Sequence, residues 1–138
     1  MSDAQSRLEY ARTVVGGDPW AAHLGLKVEE VSEARAVISF APKDNHLNAR
    51  NRVHGGLLYA MADQAMAVAA NTLERPALIV EARISFVGKA EPGVKLLAVA
   101  SALNLGRALS LWEVEINDAQ GRLVALAGGR GYHMKPKT

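Results

Sequence analysis

GLLYAMADQAMAVAANTL, residues 56–73, is the stretch on which the architecture turns. It consists mostly of Ala, Leu and Met, which give up little side-chain freedom in a helix and therefore favour one. Glu74-Arg75-Pro76 stops it. Apolar residues run nearly all the way round the expected cylinder, and Asp63, Gln64 and Asn71 are its clearly polar members. A helix of that kind is buried on most sides. Other elements must wrap it, and the flanking sequence reads as strands.

Downstream, Val80, Ala82, Ile84 and Phe86 alternate with Glu81, Arg83, Ser85 and Val87, the period-2 signature of a strand over 80–87. Pro92-Gly93 turns the chain into a strand over 95–103, and Gly106 precedes another over 108–117. There Trp112, Val114 and Ile116 alternate with Glu113, Glu115 and Asn117. Asp118-Ala119-Gln120-Gly121 is a hairpin turn into a last strand over 122–133. Upstream, 26–31 and 34–40 read as an antiparallel pair with Ala34, Ala36, Ile38 and Phe40 on one face, and Pro42-Lys43-Asp44-Asn45 leads out of it. Before that pair, 3–14 has the spacing of an amphipathic helix ended by Gly16-Gly17-Asp18-Pro19, and a short helix or turn is expected near 20–24. The expected fold is α+β, an antiparallel sheet wrapped around one long central helix, in a single domain over 1–138 with a helical extension at 1–18. Apolar strand faces this wide in so short a chain also imply that another subunit covers part of the sheet.

Composition narrows the function. Sixteen Lys+Arg against fourteen Asp+Glu leave a net charge of +2, too small an excess to predict a nucleic-acid partner. The absence of cysteine excludes disulfide scaffolds, thiolate zinc sites and a Cys nucleophile. The start, MSDAQSRLEYAR, is charged where a signal peptide would be apolar. The longest apolar run, 56–70, is broken by Asp63 and Gln64 and falls short of the roughly 20 residues a bilayer demands. A soluble, cytoplasmic protein with no membrane partner is expected. His23, His46 and His133 lack metal-site spacing, so no metal is expected. No Ser lies in a G-x-S-x-G context, and Gly128-Gly129-Arg130-Gly131 has neither the Lys-Ser/Thr nor the helix of a phosphate loop.

Asp63 stands out. A buried, unpaired carboxylate is costly or takes up a proton. The positions three and four residues away, Tyr59, Ala60, Met66 and Ala67, offer no cation on the same helix. Asp63 can pair with a distant Arg, face solvent on a narrow strip with Gln64 and Asn71, or work in a cleft. Val53-His54-Gly55-Gly56 precedes it, and two glycines opening a helix leave backbone N–H groups free at the positive end of the helix dipole. Such a site suits a carbonyl oxygen gaining negative charge. The seven residues from Gly56 to Asp63 span about 10 Å of helix. A base and an oxyanion donor must each come within ~3 Å of one reacting group, so a shared site calls for a two-fold dimer in which Gly55 and Gly56 of one chain face Asp63 of the other.

NARNRVHGGLLYAMAD, 48–63, resembles the signature of hotdog-fold acyl-CoA thioesterases of the phenylacetyl-CoA thioesterase-like (PaaI-type) group: an Asn six residues before His-Gly-Gly and an acid nine after the His. Asn48, His54, Gly55, Gly56 and Asp63 match it, and the likeness continues through ISFVGKAEPG (84–93), GRAL (106–109) and VEINDAQGRLVALAGGRGY (114–132). The resemblance implies a sheet curled round the helix, a homodimer with composite sites and commonly a homotetramer. It implies hydrolysis of an aromatic or medium-chain acyl-CoA to free acid and CoA, with no cofactor, since CoA belongs to the substrate. Gly55 would polarise the thioester carbonyl through its N–H, and Asp63 would be general base or nucleophile. Asn48 would position water or thioester, and His54 would hold the loop. The chain departs from many relatives at Gly88-Lys89, where they have Arg-Pro, and at Ala67, where some carry a hydroxyl.

Gly56, Gln64, Arg52, Lys89 and Arg107 complete the candidate substrate contacts, the last three as cations for the CoA phosphates. Gln64 and Asn71 also read as helix-packing hydrogen bonders. Two rival functions share the features above. A hotdog-fold hydratase or dehydratase would hydrate crotonyl-CoA, and a non-catalytic acyl-CoA binding module would bind esters without releasing thiol.

Overall fold

The computed structural model describes residues 1–135, so the last three residues assigned to the domain, 136–138, lie outside the described residues. Helix α1 (Asp3–Tyr10) begins with a Ser2/Gln5 capping box and passes into a π-helical turn, Ala11–Val15, where a regular helix to residue 14 is expected. The β-branched run Thr13-Val14-Val15 crowds a regular helix and gives a reason for the change. Helix α2 (Pro19–Leu24) is capped by Asp18, whose side chain accepts the Ala21 N–H at 2.9 Å, and ends on Gly25 in the left-handed conformation.

Six strands follow: β1 (Lys27–Ser32), β2 (Arg35–Phe40), β3 (Ala77–Phe86), β4 (Leu96–Leu105), β5 (Leu109–Asp118) and β6 (Leu123–His133). They form one antiparallel sheet in the order β1-β2-β4-β5-β6-β3. Helix α3 (Gly55–Ala70) lies between β2 and β3 in sequence and packs against the inner face, touching every strand. Its Met61, Met66 and Val68 meet Ile38, Leu96, Trp112, Val114, Ile116 and Val124 in a core closed to solvent. Trp112 satisfies its indole N–H on the Ser110 hydroxyl at 2.8 Å. The helix ends three residues earlier than expected. Thr72 Oγ1 donates to the Ala69 carbonyl and accepts the Ala34 N–H, so the chain turns to tie the helix end to the β1–β2 hairpin. Asn71 donates to the Ala67 carbonyl, a packing role.

One strand face departs from the expected alternation. A bulge between Ile79 and Glu81 inserts a residue into β3, which throws Val80 outward to 59% exposure. The inward set becomes Ala77, Ile79, Ala82 and Ile84.

The two sheet edges differ. Edge β1 carries the exposed charges Lys27, Glu29 and Glu30, whereas edge β3 exposes Leu78, Val80 and Phe86 together with Glu81 and Arg83. The outer face exposes Leu103, Leu105, Leu109 and Leu111. Among the described residues no helix is long and apolar enough to cross a membrane.

Candidate functional site

The loop before α3 is built by Asn48. Its Oδ1 accepts the backbone N–H groups of Arg50 (2.9 Å) and Arg52 (3.1 Å), and its own N–H donates to the Arg52 carbonyl at 2.7 Å. The loop closes through a bridge between Leu47 and Val53 and is moored by Val53 N–H to the Ala90 carbonyl. Because Oδ1 is committed to the backbone, the amide NH₂ is the part of Asn48 left to meet a ligand.

His54 is the N-cap of α3. Its Nδ1 accepts the Gly56 N–H at 2.9 Å, so a neutral ring carries its proton on Nε2. The His54 carbonyl takes the N–H groups of Leu57 and Leu58. Of the first-turn donors only Gly55 N–H is left, and no acceptor takes it among the described residues. Both glycines keep a side chain clear of close neighbours here. A Cβ on Gly55 would come within 2.9 Å of the Phe86 ring, and one on Gly56 within 3.1 Å of His54 Nδ1. The result is a single bare amide at the positive end of a 16-residue helix.

Asp63 is not sunk in the core, as the apolar helix implies. It lies on the open stripe of α3 formed with Gly56, Tyr59, Ala60 and Ala67. Its side chain reaches solvent, yet protein packs round it closely enough to raise its pKa above the ordinary value near 3.8. Burial is the first cause and the negative charge of Asp18 the second. No Lys or Arg among the described residues forms an ion pair with it. Of the three explanations open from sequence, pairing with a distant Arg is therefore absent. The strip is real, but Gln64 is not on it.

Gln64 is 5% exposed and donates to the Val15 carbonyl at 2.8 Å, clamping α3 to the turn before α2. A substrate contact is ruled out by that burial. Arg52 belongs to the site loop and lies 3.9 Å from Glu91. Lys89 lines a nearby charged cleft with Glu91, Asp118 and Arg122. Arg107 sits in the β4–β5 turn, about nine strand residues, or ~30 Å, from the Asp118 end of β5, so one chain does not bring it to its own loop. The residues that sequence reasoning missed are Asp18, beside Asp63, and Trp20 and Leu24, which wall a cavity at Gly56. Asp18-Pro19 was legible as a helix start, but its docking on α3 was not.

Gly55 and Asp63 are eight residues apart on one helix, about 12 Å. Such a pair has the parts for acyl transfer to water: an amide for the carbonyl oxygen and a carboxylate of raised basicity.

Residues 51–125 match the thioesterase superfamily. The chain is 35% identical to a putative esterase of Archaeoglobus fulgidus over 80% of its own length and 72% of the relative's. It is 28% identical to the acyl-coenzyme A thioesterase PaaI of Escherichia coli over 90% of this chain and 89% of that one. The solved structure of the E. coli PaaI protein superposes with a TM-score of 0.90 at 26% identity, covering 99% of both chains. That structure carries the same antiparallel sheet round a central helix, the hotdog fold. The chain belongs to the thioesterase superfamily.

Proposed function

We propose that the protein is an acyl-CoA thioesterase that releases a free acid and CoA at sites shared between two chains. The observation that carries this is the free Gly55 N–H at the start of the helix whose open stripe bears the unpaired Asp63. The thioester carbonyl would accept the Gly55 N–H, aided by the helix dipole. Asp63 would take a proton from water as the water oxygen bonds to the carbonyl carbon. Collapse of the tetrahedral adduct breaks the C–S bond, and the proton passes to the departing CoA sulfur. A direct attack by Asp63, giving a mixed anhydride that water then opens, uses the same two groups. The NH₂ of Asn48 would steady water or carbonyl, and His54, which accepts the Gly56 N–H, would fix the turn that presents the Gly55 amide.

Two chains are needed because ~12 Å of helix separates donor and base. Edge β3 supports this, being long and unpaired and exposing Leu78, Val80 and Phe86 beside Glu81 and Arg83, where β1 is shorter and its exposed residues are mostly charged. Pairing two β3 edges about a two-fold axis would lay the α3 helices side by side and antiparallel. That brings Gly55 of one chain toward the middle of the partner helix. The exposed outer-face leucines supply surface for a dimer of dimers. The acyl group we favour is aromatic or of medium length, and the cytoplasm is the expected place of action. Thiol release measured over a panel of acyl-CoA esters, with crotonyl-CoA hydration alongside, tests the reading. Hydrolysis by the wild type that is lost in Asp63→Asn supports it. Hydration without thiol release, or binding with neither, overturns it.

A further inference from the structure

Beside the start of α3 lies a cavity of about 380 Å³. Trp20 and Leu24 of α2, Leu47 of the loop and Leu57 and Ala60 of α3 supply its apolar lining, and Asn45, His46, His54 and Gly56 complete it. A dry apolar cavity of about 150 Å³ accommodates benzene, so this one has room for a ring with a tail, or for an unbranched chain of medium length. Trp20 is 56% exposed, a large apolar surface left uncovered, and its indole stacks on His23 with centroids 5.8 Å apart. The α2 side is held firmly. Asp18 and Pro19 start α2, Ala21 is fully buried, and Gln64 grips the Val15 carbonyl just before it.

We propose that this cavity receives the acyl group and that Trp20, from the N-terminal extension, sets the preference for acyl size. The inference rests on the thioesterase reading and deepens it. Gly55 precedes Gly56, which lines the cavity, and the acyl carbons of a carbonyl held by Gly55 N–H must leave toward apolar surface. The neighbouring cleft of Lys89, Glu91, Asp118 and Arg122 presents charge and suits only the polar part of the ester. Selectivity for acyl size therefore lies within one chain, whereas the reacting groups come from two.

The test compares wild type, Trp20→Ala and Ala60→Phe, which fills the cavity, on acetyl-, octanoyl- and phenylacetyl-CoA. In both variants the octanoyl-to-acetyl ratio of kcat/KM is expected to fall by about tenfold or more. An unchanged ratio in both overturns the assignment. Tryptophan emission separates this proposal from the hydrolase reading, because Trp112 is wholly buried and Trp20 is not. In Asp63→Asn protein, octanoyl-CoA should shift the emission where CoA alone does not, and Trp20→Phe should abolish the shift. Emission that responds to the acyl chain without any hydrolysis by the wild type keeps the cavity and removes the hydrolase. Hydrolysis with emission blind to the acyl chain removes the cavity and keeps the hydrolase. Silence in both removes both.

Discussion

Asp63 and Gln64 are neighbours in one apolar helix, and they have opposite fates. Gln64 turns inward, loses nearly all contact with solvent and finds the Val15 carbonyl. Asp63, about 100° further round the cylinder, stays on the open stripe, forms no ion pair among the described residues and has its pKa raised. A buried polar group that is hydrogen-bonded is explained by the fold. A carboxylate left unpaired and crowded is not, and such groups concentrate where chemistry is done. The contrast teaches that polarity in a greasy helix marks a residue as unusual, but only its partner says which kind.

The largest effect is expected from Asp63→Asn. Turnover of acyl-CoA should fall by about 10²–10⁴-fold, the usual contribution of a positioned acid–base group. Circular dichroism and oligomer mass should stay as in the wild type. A variant that keeps most of its thiol release would put Asp63 beside Gln64 as a structural residue.

Removing the Gly55 N–H is next in size. Proline is tolerated at the first position of a helix, and His54 already has the extended conformation (φ −61°, ψ 134°) that a following proline needs. Phe86→Ala clears the ring a Cβ would strike. Gly55→Pro in that background should lose about 10²–10³-fold in kcat relative to Phe86→Ala alone. Mixing this double variant with Asp63→Asn after unfolding and refolding tests sharing directly. Random heterodimers restore one intact site and about a quarter of the wild-type activity if sites span two chains. No recovery means each chain works alone.

The central helix and five of the six strand patterns could be read from the sequence because burial imposes a period, 3.6 or 2, that survives in the residue order. Val80 could not be placed, since a bulge depends on how β3 meets β6 and leaves no mark in β3's own alternation. In the site, the matched motif supplied Asn48, His54, Gly55 and Asp63. The resemblance implied that Asn48 positions water or thioester and that His54 holds the loop, but the bonds they make, Asn48 holding the loop through Oδ1 and His54 capping the helix through Nδ1, came only from contacts. Gln64 is buried rather than at the site, and Arg107 lies far from its own chain's loop, because a cation or an amide carries no local sign of where tertiary packing sends it. Trp20 and Asp18 were passed over for the same reason: they approach α3 from outside its sequence neighbourhood.

Gln64→Leu probes the buried member of the pair. It removes the shorter of two hydrogen bonds to the Val15 carbonyl, which keeps the Asp18 N–H at 3.3 Å, a loss of about 1 kcal/mol. Thermal and urea unfolding should register the change, with kcat on small acyl-CoA esters close to wild type. A kcat loss matching that of Asp63→Asn would erase the distinction between the two residues.

Asp18→Asn is the smallest and most specific perturbation. Asn caps a helix as well as Asp does, so α2 should stay in place while one negative charge beside Asp63 disappears. Burial is the larger cause of the raised Asp63 pKa and remains, so only part of the shift is removed. The acid limb of the kcat/KM profile, which in the wild type should lie above the ordinary carboxylate value near 3.8, moves toward lower pH. The sign for stability follows from the same shift. A carboxylate whose folded pKa is raised binds its proton more tightly in the folded chain, so its contribution falls as pH rises from the unfolded value through the folded one. Asp63→Asn should accordingly raise Tm at neutral pH, and the gain should fade below the ordinary carboxylate range. Asp18→Asn should give a smaller gain with the same pH dependence. An acid limb that does not move would mean that Asp18 is a cap and nothing more.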